Sequence, residues 1–344
     1  MSASTIEIDG SFGEGGGQIL RTSLALSLLT GKAFHLRNIR ARRPKPGLHP
    51  QHLMSVQAAA KVGAAVTRGA TLRSSDLVFE PGTVTAGKYH FDIGTAGATS
   101  LVLHTLYLPL ALRGGLTSRL TLVGGTHVTT SPCFHFLDTT WRAYLRIIGL
   151  PISLHMVRPG FYPRGGGIVD AEIPCCSRLA GLTVLERGPI KVTGFSAVAG
   201  LPDDIAHRQA RQATRRLRDE GIDIAMREET WPGGPGTVVA LIAETTPVPA
   251  LFFGLGARGK RAECVADEAV DQLLSYVAAE PAAVDLHSAD QILMPLALAD
   301  GPSVYSVAEV SEHLPTNAAV IRLFVDREIV CEGKVGEPGM VYVR

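Results

Sequence analysis

The sequence predicts an α/β (α+β) fold built from three repeated βαβαββ units, with a small α/β domain inserted late in the chain. Three observations lead there. An apolar helical pattern that starts in small or polar residues and ends at glycine occurs three times. Each copy is followed by a strand-like run, an irregular loop and a second helix. The third copy also begins about 100 residues later than the spacing of the first two requires.

The first copy is 13–31 (GEGGGQILRTSLALSLLTG), the second 94–114 (GTAGATSLVLHTLYLPLALRG) and the third 288–301 (SADQILMPLALADG). Their loops are 40–51 (RARRPKPGLHPQ), 124–132 (GGTHVTTSP) and 310–315 (VSEHLP). These lead into second helices expected at 52–62, 134–148 and 316–324. Strand-like runs follow at 64–67, 77–80 and 152–157. The surplus falls at 182–280, which holds strand-like runs at 190–198, 238–243 and 251–256 and helical ones at 203–220 and 261–278. The expected organisation is a three-repeat domain of residues 1–181 and 281–344, with an inserted α/β domain at 182–280.

Composition bounds the function. The chain has 344 residues, 46% hydrophobic and 19% charged, as in a packed globular enzyme. The apolar run 101–112 is too short to span a bilayer and reads as a buried helix, so no membrane partner is expected. No secretory leader pattern opens the chain. Cys133, Cys175, Cys176, Cys264 and Cys331 form no CxxC pair and are odd in number, which argues against a zinc site or a disulfide framework. A reducing cytoplasmic location is expected. The net charge of +1 excludes broad, non-specific coating of nucleic acid. The chain is compatible with either a monomer or a homo-oligomer.

Charge is nonetheless uneven. Arg37, Arg40, Arg42, Arg43 and Lys45 crowd together without an acid, next to Gln51 and His52. Arginine forks match phosphate oxygens, so this segment is either a phosphate site or a solvated basic loop. It has no interleaved aromatics, so base stacking is not expected there. The glycines ahead of Gln18 and Arg21 admit two readings, a cradle for an anion at a helix start or a tight strand-to-helix turn. Glu14 among them would repel phosphate unless a divalent cation, Mg or Mn, lay between. The P-loop and dinucleotide fingerprints are both missing. Gly165, Gly166 and Gly167 precede a strand rather than a helix, so close backbone packing accounts for them better than anion binding.

If the repeat holds, equivalent loops lie at one end of their units. His52, His127, His135 and His313 all fall in or beside such loops, where sites are commonly built. His313 opens the run HLPTN. A histidine at a helix start acts as a neutral nucleophile when one ring nitrogen is held by a hydrogen bond, and is otherwise an ordinary surface residue.

EGGGQILR (14–21), IRARRPKPGLHPQH (39–52), GTAGATSLVL (94–103), GFYPRGGG (160–167), ADQILMPLALA (289–299) and HLPTNAAV (313–320) closely resemble the RNA 3'-terminal phosphate cyclases, in colinear order over nearly the whole chain. The resemblance implies the three-repeat fold of the enolpyruvyl transferases carrying a small inserted domain. It also implies ATP as co-substrate and RNA 3'-phosphate ends as partner. His313 would take AMP from ATP and pass it to the RNA 3'-phosphate, and the neighbouring 2'-hydroxyl would then close a 2',3'-cyclic phosphate. By motif position the ATP pocket would comprise His104, Pro132, His287, Ser288, Ala289, Asp290 and Gln291. Arg21, Arg40, Arg43, Lys45, Gln51 and His52 would engage phosphates, and Glu14 the metal. The chain departs from the family's pattern at His104, at His287 and at His127 of the GGTH turn. Non-catalytic RNA-processing relatives of this fold lack the nucleophilic histidine, and an enolpyruvyl-type transferase would lack the HLPTN and RARRPKPG segments.

Overall fold

The computed structural model describes residues 5–344. Its first sheet joins Ile6–Asp9, Phe34–Arg37, Leu77–Glu80 and Val66–Arg68, in that spatial order. The first two strands are parallel, Ile6 opposite Phe34, and the others run antiparallel. Alternation decides the faces: Phe34 and Leu36 are buried, while His35 meets Glu7 at 3.1 Å and Asp76 at 2.8 Å on the outer face. Lys88–Asp92, Ser118–Gly124, Gly167–Ile173 and Ser153–Arg158 repeat the same order and the same strand directions. So do Thr183–Val184, Ser303–Val307, Gly339–Val343 and Ile329–Glu332. Three copies of one topology make the repeat a fact of the structure.

The inner helices form the common core. Gly17–Thr30 is buried almost all round and packs against Thr99–Arg113 of the second repeat and His313–Phe324 of the third. It ends at Gly31, whose φ of 73° lets its N–H reach the Ser27 carbonyl. Pro50–Val62 starts with proline, which costs no hydrogen bond in a first turn, and also lies on Thr99–Arg113. The third repeat's first helix is broken into Leu286–Gln291 and Leu293–Ala297, with Pro295 in the second piece. Its second helix starts at His313, three residues ahead of the expected start, with Pro315 in the opening turn.

A fourth sheet, ordered Ile224–Trp231, Lys191–Ala199, Gly236–Glu244 and Ala250–Leu255, carries Asp204–Asp219 and Ala262–Ala278 on one face. Phe195, Ala197, Val238 and Leu251 on the other face join the main hydrophobic core. Ile224–Trp231 (IAMREETW) was not foreseen, because charged residues interrupt its apolar alternation. Thr183–Val184 pairs with Val304 and Tyr305, so the third repeat has its first strand inside the range assigned to the insert. We propose drawing the insert's boundary after Val184 rather than after residue 181. Among the described residues no helix is long and apolar enough to cross a membrane.

Candidate active site

Two helix starts from distant repeats face each other, and their first polar side chains meet. The His313 Nδ1–H donates to Gln18 Oε1 at 3.0 Å, and Gln18 Nε2 donates to Asp290 Oδ2 at 2.6 Å. In its ionised form Asp290 accepts only, and it then turns the Gln18 amide oxygen toward His313. That in turn fixes the proton of His313 on Nδ1 and leaves the Nε2 lone pair free. Asn317, one turn further on, donates to the Asp290 carbonyl at 2.8 Å and accepts from Thr22 Oγ1 at 2.7 Å. Gln18 on Gly17–Thr30 thus holds the His313 ring and the Asp290 carboxyl, and Asn317 on His313–Phe324 holds the Asp290 backbone.

Burial lowers the pKa of His313 below the usual imidazole value. Arg21, Arg43 and His287 act in the same direction, and Glu14 opposes them. Burial likewise pushes the Asp290 carboxyl up to about 7, against the pull of Arg21 and the Gln18 hydrogen bond. The ring remains half exposed, with 49% of its side chain accessible.

Glu14 sits beside this relay. Its N–H donates to Thr316 Oγ1 at 3.1 Å, and its Oε2 is gripped by Arg43. Oε1 is buried without a hydrogen-bond partner, 3.9 Å from His313 Nδ1. Gly13 explains how the loop comes so close: its φ is 55°, and a Cβ there would fall 2.1 Å from Thr316 Oγ1. A second approach occurs at Gly17, where a Cβ would meet His52 Nε2 at 2.5 Å and Arg21 Nη1 at 2.8 Å. The glycine segment is thus a tight turn that also lets Arg21 and His52 close over the backbone.

Burial lowers Arg21 to about 10, so it stays charged at neutral pH. Burial, helped by Arg21 and Arg40, drives His52 down to about 2 and keeps it neutral. His52 Nδ1 accepts from the His49 N–H at 3.3 Å, so its own proton sits on Nε2. The basic loop divides its labour. Arg40, at φ 56°, donates from Nη1 to the carbonyls of Lys45 and Gly47 and shapes the loop. Arg42 donates to the Gly13 carbonyl at 2.9 Å. Lys45 is exposed. Gln51 Oε1 accepts from the Ala98 N–H at 3.0 Å, tying the first repeat to the second repeat's helix start.

The residues expected to hold a nucleotide fall into two groups. His104 Nε2 and Gln291 Oε1 are buried without partners, and the His104 ring lies 4.8 Å from that of Trp141. Burial and Arg21 lower His104 to about 3, so it is neutral. His287 is half-buried, 6.3 Å from the Phe136 ring, and Pro132 is half-buried in the second repeat's loop. Ser288 and Ala289 are buried and tied to neighbouring elements. Ser288 donates to Asp285, which caps the helix Leu286–Gln291, and the Ala289 carbonyl accepts from Tyr305.

Of the four loop histidines, His52 and His313 flank the segment Gly17–Gln18. His127 and His135 do not join them. They hydrogen-bond to each other at 3.0 Å and stack on Phe161 and Trp231, where the inserted sheet meets the second repeat. Gln18 was not singled out from sequence, although it lies four residues after Glu14. Its two partners lie 272 and 295 residues away. For a divalent cation, the orphaned Glu14 Oε1 is a fitting oxygen ligand, since Mg is commonly held by one or two carboxylates together with substrate phosphates. Among the described residues no three His, Cys, Asp or Glu side chains are grouped to form a complete protein cage.

Residues 12–331 match the family described as RTC: RNA 3'-terminal phosphate cyclase. A protein of that name from Methanopyrus kandleri is 42% identical, over 99% of either chain. Another from Nostoc punctiforme is 44% identical over 93% of this chain and 94% of its own, and one from Ectopseudomonas mendocina is 42% identical over 96% of each. Likeness of this extent leaves one conclusion: the chain belongs to the RNA 3'-terminal phosphate cyclase family.

Proposed function

We propose that this chain converts RNA 3'-terminal phosphates to 2',3'-cyclic phosphates at the expense of ATP, through AMP carried on His313. The observation that carries the reading is His313 itself. It stands at a helix start, its Nδ1–H is held by Gln18, and Arg21, Arg43 and an orphaned Glu14 oxygen surround it.

In the first step His313 Nε2 attacks the α-phosphorus of ATP, forming a P–N bond as pyrophosphate leaves. The positive charge gained by the imidazole is shared with Gln18 and, behind it, Asp290. Next an oxygen of the RNA 3'-phosphate attacks the same phosphorus, breaking the P–N bond and returning the lone pair to Nε2. The RNA then ends in a phosphoanhydride to AMP. Finally the adjacent 2'-hydroxyl attacks the terminal phosphorus, loses its proton and expels AMP. Arg21, fixed and charged, and Arg43 offset the charge that builds on phosphate oxygens, and neutral His52 donates from Nε2. A divalent cation on Glu14 would supply Lewis-acid polarisation of a phosphate oxygen. His104, His287 and Gln291 would bound the nucleotide.

The test is direct. Incubated with α-phosphate-labelled ATP and Mg or Mn, the protein should acquire acid-labile label, and His313→Ala should acquire none. Label that persists in His313→Ala, or no label with any metal, overturns the mechanism. Analysis of 3'-phosphorylated RNA after incubation then checks for the cyclic end.

A further inference from the structure

The loop 160–167 (GFYPRGGG) plays no part in the chemistry above, yet several contacts tie it to the second repeat. Phe161 is 4% exposed, stacks on His127 at 5.2 Å, and fills the space left by Gly236. Its carbonyl accepts from the Gly165 N–H at 2.7 Å, closing the loop. Gly165 and Gly166 take φ of 65° and 68°, and a Cβ on Gly165 would lie 2.7 Å from the Ala96 Cα. Arg158 donates to the Gly166 carbonyl at 2.8 Å. Both ends of the tip are therefore pinned.

What the pinned tip displays is an aromatic ring and a cation. Tyr162 is 76% exposed, more than any other large hydrophobic side chain among the described residues. Arg164 is exposed and makes no ion pair among the described residues. From Arg158 to Gly167 the chain has two arginines and no acid. The tip also shares a rim with the phosphate-site candidates. Gly165 rests on Thr95 and Ala96, and two residues on, the Ala98 N–H is held by Gln51, neighbour of His52. The basic loop of the first repeat lacks an aromatic of its own, and this loop of the second repeat supplies one.

We propose that Tyr162 and Arg164 form a platform for the RNA upstream of its terminal phosphate, a base stacking on the Tyr162 ring and a backbone phosphate meeting Arg164. This rests on the RNA-end reading above. The chemistry favours a nucleic acid strand over a protein partner, because an exposed ring two residues from an arginine without an ion pair matches a base next to a phosphate. Stacking of this kind is indifferent to sequence, which suits an enzyme that reads an end rather than a motif. It adds affinity of about tenfold or more per base.

The experiment uses the full-length protein and 3'-phosphorylated oligonucleotides with 2-aminopurine at successive upstream positions. One position should show quenched fluorescence on binding. The quench should be lost in Tyr162→Ala and kept in Tyr162→Phe. KM for the oligonucleotide should rise about tenfold in Tyr162→Ala, while KM for a nucleoside 3'-monophosphate and the rate of labelling by ATP stay unchanged. Quenching that survives Tyr162→Ala, or equal KM changes for oligonucleotide and mononucleotide, overturns the platform. A dimer in sedimentation that Tyr162→Ala dissociates, with oligonucleotide KM unmoved, overturns it in favour of self-association. Failure of the covalent chemistry is read separately, as absence of label, since oligonucleotide binding is measured without ATP.

Discussion

Gln18 connects a carboxyl that burial drives toward the neutral form with an imidazole that burial keeps uncharged. Its amide has one donor side and one acceptor side, and both are committed, to Asp290 at 2.6 Å and to His313 at 3.0 Å. On the proposed mechanism this presents Nε2 as the nucleophile. Gln18→Ala should therefore slow labelling by ATP about 10–100-fold, the usual cost of removing a group that orients a ring, with little change in KM for ATP. Rapid-quench kinetics would measure it, and wild-type rates in that variant would show that the amide orients nothing. Asp290 adds a pH signature. Its folded-state pKa of about 7 lies above its unfolded value, so its contribution to stability is complete below about pH 4 and is lost as pH rises through 7. Asp290→Asn removes that dependence. The melting temperature of the wild type relative to Asp290→Asn should fall between pH 4 and 8 and then level off. A pH-independent difference would mean the carboxyl is not displaced.

Among the secondary elements, those with a buried stripe and a glycine stop were legible in the sequence. The helix Gly17–Thr30 lies within its expected span, and Gly31 closes it as a left-handed cap. The strand Leu77–Glu80 coincides with its expected range. The failures have physical causes. Two residues, Thr183 and Val184, carry no periodic signal, and their strand exists only because Val304 and Tyr305 lie alongside. In Ile224–Trp231 the charged run Arg227, Glu228, Glu229 is tolerated because this is an edge strand open to water. That missed strand has a further consequence. Trp231 at its end stacks on His135 and helps bury the His127–His135 pair, so two of the four loop histidines join an interface rather than the site. Glu14 and Arg43 stand out by residue type and setting, whereas His313, one histidine of eleven, is singled out only by the HLPTN run and the resemblance it carries. Gln18 could not be picked out, since its role depends on partners brought together by the packing of three repeats.

For the molecule as a whole, the question is whether the insert is a separate body or part of one core. Its sheet has two unlike faces. Val265, Leu273 and Val239 form a local core under the insert's own helices. Phe195, Ala197, Val238 and Leu251 belong to the same cluster as Trp141 and Phe136 of the second repeat. The Leu251 N–H also donates to Thr140 Oγ1 at 3.0 Å, within the widened helical turn Leu137–Trp141. A shared core with a buried hydrogen bond couples the unfolding of its two sides. The protein should thus melt in a single transition by calorimetry. Leu251→Ala, at a fully buried position, should cost about 2–5 kcal/mol and lower that one transition by several degrees. An independent insert behaves differently: Leu251→Ala would then shift only an early partial transition and leave the main one in place. The comparison with Leu273→Ala, buried on the helix side of the same sheet, sharpens the reading. If both variants move one common transition, the insert and the repeats unfold as a unit, and the His135–Trp231 contact is a fixed part of the enzyme's frame rather than a hinge.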